Sequence, residues 1–90
     1  MIKGKTKSGF DFAIEDAALD DYELLESFEA IDEGKGQAIT KATAQLLGKD
    51  QAAKLKDHVR NARTGRVSLK KMADELGEIM RAAGEAGKNS

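Results

Sequence analysis

His58 is the only histidine of this 90-residue sequence, and cysteine is absent, so metal and nucleophilic chemistry rest on one imidazole and the acids. A metal site needs several ligands at short, fixed spacings, and none is arranged around His58. His58 therefore reads as a partly exposed helix residue between Leu55 and Arg60. Asp16, Asp20 and Asp21 invite a paired-carboxylate or cation-loop reading, yet an EF-hand alternates oxygen ligands around a central Gly and closes on Glu. That pattern fails here, and Asp20 is better explained as a helix N-cap, with its neighbours favoured near the positive end of the helix dipole. Gly34-Lys35-Gly36 lacks the spacing and the closing Lys-Ser/Thr of a phosphate loop and follows a helical segment, so it reads as an inter-helix turn. Ser68 to Gly77 has the look of the first half of a helix-turn-helix, but Glu78-Ile79-Met80 continues in helical phase where a second helix should begin. No catalytic residue, metal ligand or cofactor site is assigned, and the expectation is a protein that is not an enzyme.

Charge is segregated beneath a net value of −1. From Asp11 to Glu33 every charged residue is an acid, whereas residues 49–71 hold Lys49, Lys54, Lys56, Arg60, Arg63, Arg66, Lys70 and Lys71 against Asp50 and Asp57. A surface polarised in this way suits pairing between copies or with a partner. It suits nucleic acid less, because the acidic segment repels phosphate. The absence of Cys excludes disulfides and thiol catalysis. No apolar run approaches the ~20 residues of a membrane span, and the charged start lacks a signal-peptide core, so a cytosolic protein is expected.

These residues must be positioned by a thin-cored single domain, spanning 1–84 with a flexible tail at 85–90. A chain this short buries only about 60–65% of its unfolded surface, which makes self-association a source of added stability. The expected fold is α+β and mainly α: an N-terminal β-hairpin (2–14) packed on about four short helices near 20–33, 37–47, 50–62 and 68–84. Period-two alternation at 2–6 and 10–14 buries Phe10, Phe12 and Ile14 and leaves Lys3, Lys5 and Lys7 in solvent. Lys7-Ser8-Gly9 turns the chain, with Gly9 free to take a positive φ. Asp20, with Glu23 three residues on, forms a capping box for a helix whose inward stripe is Tyr22, Leu24, Leu25, Phe28 and Ile31. Ala38, Ile39, Ala42, Leu46 and Leu47 face inward on the second helix, and Gly48 ends it. Asp50 caps the third, with Ala52, Leu55, Val59 and Ala62 inward. Ser68 caps the fourth, whose stripe is Leu69, Met72, Ala73, Leu76, Ile79, Met80 and Ala83, with Gly77 tolerated at about 1 kcal/mol.

Six segments carry a family likeness: the opening run Met1-Ile2-Lys3-Gly4-Lys5-Thr6-Lys7-Ser8-Gly9-Phe10-Asp11-Phe12, the stretch Leu19-Asp20-Asp21-Tyr22-Glu23-Leu24-Leu25-Glu26, Leu46-Leu47-Gly48, Leu55 to Arg60, Gly65-Arg66-Val67 and Lys88-Asn89-Ser90. In this order they resemble the small tail assembly chaperones of long-tailed (siphovirus-type) bacteriophages and of prophages in Gram-positive bacteria. The resemblance covers nearly the full length and contains no catalytic motif. It implies a non-enzymatic cytoplasmic protein, absent from the finished particle, that binds the tape measure protein and helps gather tail tube subunits. The family often also makes a longer, frameshifted form. No family motif of binding residues carries over.

Contact residues are chosen on physical grounds instead. Glu23, Glu26 and Glu29 form the outer face of the acidic helix, and Lys54, Lys56, Arg60, Arg63 and Arg66 form a basic patch. Met80, on the outer edge of the last stripe, suits an adaptable contact. A homo-oligomer is expected, with no membrane association. The competing reading is a small nucleic-acid-associated regulator using the 54–71 patch, whose binding would weaken steeply with salt.

Overall fold

The computed structural model describes residues 1–88. It is α+β and mainly α, as the periodicities predict, with an antiparallel hairpin followed by three α-helices. Strand β1 is Ile2–Lys5 and β2 is Asp11–Ile14; a 3₁₀ helix, Asp16–Asp20, leads into α1 (Tyr22–Asp32), α2 (Gln37–Val59) and α3 (Leu69–Lys88).

The hairpin pairs Ile2 with Ile14, Lys3 with Ala13, Gly4 with Phe12 and Lys5 with Asp11. Its strands are shorter than the alternation implied, because Thr6 and Phe10 already belong to the turn. The Thr6 amide donates to Phe10 O and the Gly9 amide to Thr6 O, both at 2.9 Å. Phe10, Phe12 and Ile14 are buried and Lys3, Lys5 and Lys7 are exposed, as expected. The outer edge of β2 is closed by a side chain: the Ala13 amide donates to Gln51 Oε1 at 2.8 Å, and Gln51 Nε2 donates to Ala13 O.

Gly4 lies opposite Phe12, and its lack of a side chain is what lets the ring cross the sheet. A Cβ at this position would stand 2.6 Å from Phe12 Cζ. Because the ring is held within the core, Gly4→Ala is expected to destabilise the protein by about 1–3 kcal/mol, the range of overpacking in a filled interior. A lowered urea midpoint measures this, and Phe12→Leu in the Gly4→Ala background should recover part of it.

Four expectations about the helices need correction. The first helix begins later than 20, and its cap is Asp21, not Asp20: Asp21 Oδ1 accepts from the amides of Glu23 (2.9 Å) and Leu24 (3.2 Å). Asp20 instead closes the 3₁₀ helix. Helix α2 is interrupted at Gly48, whose φ of 77° and ψ of 170° are non-helical, so the break expected there is present and two helical segments follow each other directly. The second has already begun at Lys49, so Asp50 lies within it and is not its cap. That element ends at Val59 and not at 62, leaving Ala62 exposed in a loop. The loop is tied across its neck by the Asn61 amide to Arg66 O and the Gly65 amide to Asn61 O, each 2.8 Å. Finally, α3 runs past Gly84 to Lys88, into the segment expected to be a flexible tail; Asn89 and Ser90 lie outside the described residues.

The cap of α3 is Ser68, as expected, with its Oγ accepting from the Lys71 amide at 3.2 Å. Helix α1 packs on α2, and α3 packs on β1, α2 and the 3₁₀ helix. Ile14, Leu24, Leu55, Leu76 and Ile79 form the centre of the core. Ser27 ties α1 to α2 by donating to Gln45 Oε1 at 2.7 Å. Among the described residues, every buried side-chain nitrogen and oxygen has a partner. None of the described helices is long and apolar enough to cross a membrane.

Candidate functional site

The Asp21 cap sets the rotational phase of α1, and that phase decides which side chains reach the surface. Leu24 and Ser27 are buried and Phe28 and Ile31 partly so. Successive residues step by about 100° around a helix of 3.6 residues per turn, so the opposite line carries Tyr22, Leu25, Glu26, Glu29 and Glu33. Tyr22 and Leu25, expected inward, are 74% and 55% exposed.

Together with the 3₁₀ helix and α3 they wall a groove of about 460 Å³, whose apolar lining includes Leu19, Tyr22, Leu24, Leu25, Phe28 and Met80. Gly77 also lines it and leaves room where a side chain would otherwise stand. Asp20 and Asp21 border the groove, and Glu23, Glu26 and Glu29 are exposed on α1. Of the contact residues expected from sequence, Met80 lines this groove, whereas Glu23, Glu26 and Glu29 do not. A concave apolar lining with a charged border is suited to an amphipathic helix laid in the groove.

The basic residues are spread over the end of α2, its C-cap and the loop that follows. Lys54, Lys56, Arg60, Arg63 and Arg66 are all exposed. Arg60, however, is committed within the chain: Nη1 donates to Gly65 O at 2.8 Å and Nη2 lies 3.4 Å from Asp57 Oδ1. Lys54 and Lys56, two residues apart on a helix, point to different sides. Arg63 and Arg66 belong to the loop between α2 and α3. Lys56, with Lys49, instead borders a second apolar groove of about 640 Å³ between α2 and the start of α3. Ile39, Ala52, Val67, Leu69 and Met72 are among its lining residues. Leu69, another residue expected inward, is 59% exposed there.

Comparison with protein families, curated proteins and solved structures gives no match to this chain. Function therefore has to be read from the surfaces themselves.

One cluster had no visible signal in the sequence. Ser8, in the hairpin turn, lies 3.0 Å through Oγ from His58 Nε2, fifty residues away. The same hydroxyl donates to Glu75 Oε1, which also accepts from Thr6 Oγ1 at 3.2 Å. The His58 ring packs on Phe10 with centroids 5.5 Å apart. Ser and His within hydrogen-bond reach resemble a nucleophile and its base. In a relay, though, the carboxylate holds the far ring nitrogen, whereas Glu75 lies on the Nε2 side, 4.0 Å away, and itself accepts the hydrogen bond of the serine hydroxyl. The arrangement is a clamp that fastens the hairpin turn to α2 and α3. Among the described residues, no three or more His, Asp or Glu side chains are grouped to hold a metal ion.

Proposed function

We propose that this chain is a non-enzymatic tail assembly chaperone of a long-tailed (siphovirus-type) bacteriophage or of a Gram-positive prophage. It acts in the host cytoplasm, keeps the tape measure protein soluble, helps recruit tail tube subunits, and is absent from the mature virion. The observation that supports this most directly is the acid-bordered apolar groove beside α1, where Tyr22 and Leu25 stand in solvent. Large exposed apolar side chains set in a polar rim mark contact surfaces. A long helical client with an apolar stripe and flanking Lys or Arg matches the lining and its bordering Asp20 and Asp21, and the exposed Glu23, Glu26 and Glu29 add acidic charge on the same helix. The order of sequence segments shared with these chaperones supports the same reading.

Co-expression with a tape measure protein of such a phage tests it. The soluble fraction of the client is expected to rise severalfold, and Glu23→Lys/Glu26→Lys/Glu29→Lys to remove most of that gain. Arg60→Ala, which alters an internally bonded residue, should leave the gain in place. A client that stays insoluble beside the wild-type chain overturns the reading. A gain unaffected by the triple reversal removes the acidic face from it.

A further inference from the structure

Among the described residues, the exposed large apolar side chains are Met1, Tyr22, Leu25 and Leu69. Apart from Met1 at the chain start, they fall in two places of opposite charge. Tyr22 and Leu25 stand on the outer line of α1 among Glu26, Glu29 and Glu33. Leu69 lines the groove between α2 and α3, where the bordering ions are Lys49 and Lys56. Both sets of ions are free: among the described residues, none of these three acids and neither lysine forms an ion pair within the chain. Neighbouring charges elsewhere do pair, as Lys70 does with Asp74 at 3.1 Å.

We infer that the outer line of α1 in one copy docks into the α2–α3 groove of a second copy. The occupant is settled by complementarity on three counts. Tyr22 and Leu25 are apolar protrusions, and the groove offers about 640 Å³ with Ile39, Val67, Leu69 and Met72 among its lining. The bordering charges are opposite and unpaired. Lys49 and Lys56 are seven residues apart, as are Glu26 and Glu33, which is about 10 Å along a helix in both cases. The two surfaces differ, so the contact is heterologous: each copy offers one α1 line and one groove, and growth continues until a ring closes or a filament forms. This deepens the self-association expected in the chaperone reading. Because Tyr22 and Leu25 also wall the acid-bordered groove, a bound client and a docked copy would compete for them.

Sedimentation velocity on the purified chain, with no client present, tests the contact. Wild-type protein is expected to associate with rising concentration and to lose that association in high salt, where exposed charges are screened. Glu26→Lys/Glu33→Lys and Lys49→Glu/Lys56→Glu should each weaken association at least about tenfold, two border charges being reversed in each. All four positions are exposed, so circular dichroism should stay unchanged. The decisive step mixes the two variants. Each retains one intact surface and the two reversed surfaces complement each other, so the mixture should recover extended association of alternating variants, as should the fourfold charge swap in one chain. A wild-type chain that stays monomeric, or a mixture that stays unassociated, overturns the inference. A chain that assembles in this way yet fails to solubilise the tape measure protein keeps the inference and removes the client reading.

Discussion

Leu76→Ala is expected to destabilise the protein by about 3–5 kcal/mol, while Leu69→Ala, the same change seven residues earlier on α3, should cost about 0.5 kcal/mol or less. Both leucines belong to the one apolar stripe that periodicity assigns to this helix. Leu76 is fully buried, however, and Leu69 is 59% exposed in the α2–α3 groove. Truncating Leu76 removes its transfer energy and leaves a hole lined by side chains already packed, such as Ile79 and Leu55, both without exposed surface. For a domain of this size, whose total stability is about 5–13 kcal/mol, the loss approaches unfolding at 37 °C. Urea melts of the two variants measure the difference. A Leu69→Ala protein as unstable as Leu76→Ala would show that the groove is closed in solution.

Gly48→Ala should be damaging although the position is exposed. Gly48 has φ 77° and ψ 170°, in a region populated almost solely by glycine. No neighbouring atom lies within 4 Å of where a Cβ would stand, so the penalty of about 1–3 kcal/mol is one of backbone strain alone and not of packing. That separation suggests its own control. D-alanine at position 48, introduced by chemical synthesis, favours the mirror image of the extended region and should restore stability to the glycine level or above. The bend matters because it directs Leu46 and Leu47 before it and Leu55 after it into the same core. If L-alanine is tolerated as well as D-alanine, the bend is not needed for the fold.

Much of this arrangement was legible in the sequence, and the misses have physical causes. Alternation alone identifies the buried side of the hairpin, because Phe10, Phe12 and Ile14 leave no other apolar face to bury. Ser68 was readable as a cap since the strongest stripe begins directly after it. Asp21 was missed in favour of Asp20 because adjacent aspartates cap equally well, and the preceding Ala17-Ala18-Leu19 forms a 3₁₀ turn whose short run shows no period. The inward assignment of Tyr22 and Leu25 failed for a reason that could have been seen. A stripe holding Tyr22, Leu24, Leu25, Phe28 and Ile31 covers about half the circumference at 100° per residue, wider than one packed face requires. The surplus became surface, and that surplus is the candidate site. The meeting of Ser8, His58 and Glu75 leaves no local trace, since turn, α2 and α3 come together only in the folded chain.

The bond between Gln51 and Ala13 also constrains how copies of this chain can join. A hairpin leaves two open edges, each able to template a further strand from another molecule. On β2 the Gln51 amide occupies the Ala13 donor and acceptor as a third strand would, while β1 carries Lys3 and Lys5 and packs against α3. Main-chain growth of the kind that ends in fibres is therefore stopped on the β2 edge by one side chain. What remains for association is contact between helices through side chains, and such contacts respond to salt, composition and competing partners and can be undone.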